Sequence, residues 1–150
     1  MIHIPGWIRA VGKHFLGVAR LLKKRDDMMR FAGVWEAFEL SGRELGNKME
    51  GAFLTTITPK PLWLGGSGIL DVRASDWDKE NQRVREHYGL IKLDPDIPTQ
   101  GVRTVIYKDS HEIVHERIEF GADPEVLLVT PVEPGYNKHA LRRTHQLLDC

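Results

Sequence analysis

From Phe31 to Leu148 short runs of alternating apolar and polar residues are separated by clusters of Gly, Pro, Asp, Asn and Ser. A period of two is the mark of half-buried strands, and such clusters are where strands stop. The pattern predicts strands over Val34–Leu40, Met49–Thr58, Ile69–Ala74, Arg83–Leu93, Val102–Lys108, His111–Phe120, Val126–Val132 and Ala140–Leu148, with Leu62–Leu64 as a short edge segment. Ser41-Gly42-Arg43 with Gly46-Asn47, Pro59-Lys60-Pro61, Ser75–Asn81, Asp94–Pro98, Asp109-Ser110, Gly121–Pro124 and Glu133–Asn137 supply the turns. Parallel strands need crossover helices, and no helical pattern lies between these segments, so the sheet is antiparallel. The expected fold is all-β: one antiparallel barrel of about eight strands, a shape that commonly holds something in its interior.

Before the strands, Trp7, Val11, Phe15, Val18 and Leu22 recur at spacings of 4, 4, 3 and 4. That makes one apolar stripe on a helix running from about Trp7 to Arg25, with Arg9, Lys13, Arg20, Lys24 and Arg25 around it. The chain therefore divides into a basic amphipathic helix with its connector, residues 1–30, and a barrel, residues 31–150. The helix has two expected uses: to cover one end of the barrel, or to make a peripheral membrane contact through residues 7–25 with its basic side chains on lipid phosphates.

Composition narrows the partners. Of 150 residues 41% are hydrophobic and 28% charged, an ordinary globular balance, and 21 Lys and Arg are matched by 21 Asp and Glu. No global basic field recruits nucleic acid, and no nucleic-acid motif occurs. The one cysteine, Cys150, excludes an intrachain disulfide. No run of 18 apolar residues is present, and the charges at Arg9, Lys13 and Arg20 break up the N-terminal apolar stretch where a secretory signal would need continuity. The expected location is cytoplasmic, peripheral to a membrane if the helix binds one; the oligomeric state stays open.

Phe31-Ala32-Gly33-Val34-Trp35 sets a Gly-x-Trp at the start of the first strand, directly after the helix, and Arg142 and Arg143 lie in the last strand. This order resembles the calycin superfamily, the lipocalins and their bacterial relatives, in which a Gly-x-Trp opens the first strand and an arginine from the end of the barrel lies over the indole. The resemblance implies an intracellular lipocalin-like barrel that binds a small molecule. A glycine there lets the backbone bend tightly, and an arginine over the ring gains roughly 0.5–2 kcal/mol.

His111-Glu112-Ile113-Val114-His115 offers a competing chemistry. On a helix, residues i and i+4 share a face, so His111 and His115 would bind one Zn²⁺ while Glu112 activates water, as in zinc hydrolases. His139, His145, Glu125 or Glu133 would supply a third ligand. Against it, Val114, Ile118 and Phe120 alternate with charged residues as a strand does, and a strand puts His111, His115 and Arg117 on one face. Gly65-Gly66-Ser67-Gly68 lacks the Lys-Ser/Thr of a phosphate loop, and no serine sits in a nucleophile elbow.

The reading that follows is a non-enzymatic module that captures a polar or anionic small molecule, with Trp35 closing the barrel base. Arg85, Tyr88, Arg103, Tyr107, His115, Arg117 and Arg143 are the candidate ligand-binding side chains, since guanidinium and imidazole donors beside aromatic planes suit such a ligand. No metal or other cofactor is required. The alternatives are the zinc hydrolase and a membrane-surface or protein-interaction domain acting through the basic helix.

Overall fold

The computed structural model describes residues 23, 25–52, 54–60, 69–135 and 137–145. A short helix, α1 (residues 25–31), is followed by nine strands. They are β1 (Gly33–Ser41), β2 (Glu44–Lys48), β3 (Thr55–Pro59), β4 (Ile69–Asp78), β5 (Arg83–Leu93), β6 (Gln100–Tyr107), β7 (Ile113–Phe120), β8 (Val126–Pro131) and β9 (His139–His145). Each strand from β3 to β9 pairs antiparallel with the next, and β9 pairs back onto β1 from Val34 to Glu39. The result is a closed eight-strand antiparallel barrel with β2 as one extra strand. On the side of β1 away from β9, β3 pairs with Gly33–Trp35 and β2 with Phe38–Ser41, so the two lie end to end.

Register decides which side chains share the interior. Ile57 stands opposite Val72, Val72 opposite Gly89, Gly89 opposite Val105, and Val105 opposite Val114. The lower half of that interior is an apolar core of Trp35, Ile57, Leu70, Val72, Ile91, Ile118, Leu127, Val129 and Leu141, closed from beneath by Met28 and Phe31 of α1. Phe31 packs its ring 4.6 Å from Phe120 and accepts a hydrogen bond from Trp35 Nε1 on its carbonyl (3.1 Å). The helix thereby closes the base of the barrel at the point where the first strand begins.

Two glycines permit the closure. Gly33 has φ +150°, and a Cβ there would lie 2.7 Å from the His145 carbonyl oxygen of β9. At Gly89 a Cβ would fall 1.8 Å from the Thr104 carbonyl oxygen, so β5 and β6 approach too closely for any side chain.

Three segments differ from the sequence pattern. Met49–Ala52, expected to open the strand that becomes β3, is a turn joined to β4 by the isolated bridge of Ala52 with Asp76. The edge segment expected over Leu62–Leu64 lies outside the described residues. Ser75–Asp78, expected as part of a polar turn, extends β4 and pairs with Arg83–Glu86. Its ladder sets Asp76 opposite Arg85 on the inner face and Trp77 opposite Val84 on the outer. Glu44–Lys48, expected within a turn, is the fully exposed strand β2 on β1. The basic amphipathic helix expected over Trp7–Arg25 lies, except for Lys23 and Arg25, outside the described residues. Among the described residues no helix is long and apolar enough to cross a membrane.

Candidate functional site

Above its apolar half the interior turns polar, because the inward positions of β4 to β7 and β9 change character toward one end. At mid-height Arg103 and Glu116 are cross-strand partners, with Arg103 Nε and Nη2 donating to Glu116 Oε1 at 2.9 and 2.7 Å. Their side chains are only 5% and 7% exposed. Burial of two charges is tolerable only when they neutralise one another at this distance.

His87 and His139 both feel this pair. Burial, and then the Arg103 charge, drive the His87 imidazole down to about 4, and the same two causes lower His139. Both rings are thus neutral near pH 7, each with one donor and one acceptor nitrogen. His87 is the cross-strand partner of Tyr107, their ring centroids 5.1 Å apart, and Arg85 lays its guanidinium 4.3 Å from the centre of the same tyrosine ring. Burial pushes the Tyr107 phenol above its ordinary value. Arg85 is itself held from the β6–β7 turn: Asp109 Oδ2 accepts from Arg85 Nε at 3.1 Å and from Arg83 Nη2 at 2.9 Å. The Arg85 bond keeps the Asp109 carboxyl below the usual carboxylate range.

Asp76 is the exception in an otherwise paired set. Its Oδ1 is buried with no hydrogen-bond partner among the described residues, and burial raises its carboxyl pKa against the opposing pull of Arg85. A buried acceptor left unsatisfied costs about 1–3 kcal/mol, so it marks a place where a donor belongs.

The side chains singled out from sequence fall into three groups. Arg85, Arg103 and Tyr107 come together in the polar half of the interior. Trp35 and Arg143 meet at the base, the guanidinium 4.6 Å from the centre of the indole ring, and Trp35 is fully buried within the apolar core. Tyr88, His115 and Arg117 stand on the outer face, opposite in phase to the buried Gly89, Glu116 and Ile118. His115 is bound there by Glu133, which accepts from its backbone N–H at 2.9 Å and lies 2.7 Å from its Nδ1.

The His111–His115 segment does not form the helix that a zinc-hydrolase site needs. His111 sits in the β6–β7 turn with φ +57°, and Ile113 already belongs to β7. The two imidazoles therefore do not share a helical face, and Glu133, a candidate third ligand, engages His115 outside the barrel. Among the described residues no three His, Cys, Asp or Glu side chains cluster as a metal site would require.

Asp76, His87 and Glu116 were not among the sequence candidates, and His139 was one only as a third zinc ligand. The signal for two of them was present: His87 shares the phase of Arg85, and Glu116 lies between Val114 and Ile118 on an apolar face. Asp76 was hidden in a stretch that resembled a turn, and His139 at the end of another.

Comparison of the chain with protein-family profiles, with curated proteins and with solved structures finds no match in any of the three.

Proposed function

We propose that the protein is a binding or sensing module that takes a small polar molecule at the polar end of its barrel, without catalysis. The observation that carries this reading is the buried, unpartnered Asp76 Oδ1 on the same inner wall as Arg85, His87 and Tyr107. Both interior arginines of that half already have carboxylate partners, Arg85 with Asp109 and Arg103 with Glu116. The unmet demand is for a donor, which favours a ligand bearing an amine, amide or hydroxyl over a plain anion. Neutral His87 and the Tyr107 hydroxyl supply the matching donors and acceptors around it.

Kinship with the calycins is part of the proposal. Its support is the Gly33-x-Trp35 opening of β1, the Arg143 guanidinium over Trp35 and the closed eight-strand barrel. A cytoplasmic location is in keeping with a chain whose single cysteine can form no internal disulfide.

Native mass spectrometry of the purified chain, alongside Asp76→Ala and Tyr107→Phe, tests the reading. A small molecule carried by the wild type and lost from Asp76→Ala, with the variant folded, is the expected result. Retention of the same molecule by both variants would place binding elsewhere and overturn the proposal.

A further inference from the structure

The polar end of the barrel carries a charge imbalance that centres on one atom. Three carboxylates stand there, Asp76, Asp78 and Asp109, against two guanidinium groups, Arg83 and Arg85. Arg103 and Glu116 cancel one another, and His87 and His139 are neutral near pH 7. Asp109 takes both arginines, Arg83 Nη2 at 2.9 Å and Arg85 Nε at 3.1 Å. Asp78 lies 3.7 Å from Arg83 and accepts from the backbone N–H groups of Glu80 and Asn81 in its own turn. The lysines of the two adjoining turns are engaged as well, Lys79 by Glu50 at 3.4 Å and Lys108 by Glu86 at 3.0 Å.

Asp76 alone of the three carboxylates has no ion pair among the described residues, and its Oδ1 is the buried oxygen without a donor. Arg85, its cross-strand partner, is turned to Asp109. The excess negative charge and the missing donor therefore coincide.

We infer that the molecule taken at this end is a small primary amine, bound as the ammonium ion with an N–H on Asp76 Oδ1. The inference rests on the binding reading above and narrows it from any donor to a cation. An ammonium group supplies both missing things, a donor and one positive charge, and its hydrogen bond to a carboxylate is roughly twice as strong as a neutral one. A hydroxyl or an amide would fill the oxygen and leave the charge unmatched. The body of the molecule is constrained too. Toward the core the inner face of β4 continues from Asp76 as Ala74 and Val72, so the carbons that follow the amine meet apolar side chains. A carboxylate on that body would find no open cation, since Arg83, Arg85 and Arg103 are already paired. The site therefore rejects an amino acid and fits its decarboxylated counterpart.

Calorimetric titration of the full chain at pH 7 compares phenethylamine and butylamine with phenethyl alcohol and phenylalanine. Both amines are expected to bind, the alcohol and the amino acid not. Asp76→Asn keeps the shape and removes the charge, and is expected to weaken the amines by about ten- to a hundredfold. Glu86→Gln makes the same charge change on the outer face of β5 and is expected to bind them as wild type does. Circular dichroism verifies the fold of both variants. Phenethyl alcohol bound as tightly as the amine, and lost in Asp76→Asn, overturns the cation while keeping the interior site. Amine binding that Asp76→Asn leaves unchanged, or a loss that Glu86→Gln reproduces, overturns both. If neither amine binds, the inference falls, and the interior site stands or falls by the native mass spectrometry above.

Discussion

Arg143 and Trp35 are cross-strand partners at the seam where β9 closes on β1, and the guanidinium of one lies 4.6 Å from the centre of the other's ring. Arg143 also donates through Nη2 to the Arg30 carbonyl, and its Nε lies 3.3 Å from Glu125 Oε2, an ion pair whose angles do not make a hydrogen bond. One side chain thus ties α1, β1 and the β7–β8 turn to the final strand. The Trp35 indole continues the link by donating to Phe31 O.

The seam is therefore a stability element. Trp35→Ala is expected to cost about 3–5 kcal/mol, as for a fully buried large aromatic. Arg143→Lys keeps the charge but loses the planar stack and the fork, at about 1–2 kcal/mol. Urea unfolding measures both; an Arg143→Lys protein as stable as wild type would show that the stack holds nothing together.

The two close approaches should be equally intolerant. Gly33→Ala and Gly89→Ala each force a Cβ against backbone oxygen, 2.7 Å away in one case and 1.8 Å in the other. Losses of about 3 kcal/mol or more are expected, the larger at Gly89, where neither strand has room to yield. Soluble yield and melting temperature are the readouts, and a well-folded Gly89→Ala protein would contradict the described β5–β6 register.

His87 makes stability depend on pH. Its folded pKa, about 4, lies below the ordinary 6.5, so below pH 6.5 the unfolded chain binds a proton that the folded protein refuses. Stability is full above pH 6.5 and falls as pH drops toward 4, by at most about 3 kcal/mol, the lowered His139 adding in the same direction. His87→Gln should flatten the fall between pH 7 and pH 4.5 in urea titrations, whereas an unchanged slope would assign the dependence to other groups.

Asp76 carries the opposite sign. A carboxyl raised by burial is costly when charged, and the cost is relieved as pH falls through its folded pKa. At pH 7, Asp76→Ala is expected to stabilise the fold by about 1 kcal/mol while losing the ligand. A destabilised Asp76→Ala protein would mean that the carboxylate serves the fold rather than a bound molecule.

The Arg103–Glu116 pair should show strong coupling. Removing one partner leaves a buried charge alone, so Glu116→Leu is expected to cost about 3–5 kcal/mol, and adding Arg103→Met to recover most of that loss. A double-mutant cycle measures the coupling, and additive single effects would argue against a neutralised interior pair.

Strand existence and order were written locally, in alternating residues and turn clusters, and for that reason β1 and β5 to β9 stand close to where the pattern put them. A signal for facing exists where one phase is apolar: His115 and Arg117, taken from sequence as candidate ligand-binding side chains, alternate with Val114, Ile118 and Phe120 and stand outside. It was not legible in β5, where Arg83 to Tyr88 is mixed on both faces. Arg85 and Tyr88, three residues apart, cannot both point inward on one regular strand. Which of them does is decided by the ladder, running from Trp35 through β3 and β4, and by the closure of β9 on β1. The strand Ser75–Asp78 and the edge strand β2 depend on their partners, since each has a single large apolar residue, Trp77 or Leu45, and no alternating apolar run. Asp76 in particular is a turn residue by composition and an unpaired interior acceptor only because β5 lies beside it. Local pattern determines where the backbone is extended; only the long-range hydrogen-bonded register, in which a shift of one residue inverts every side chain, decides what the barrel encloses.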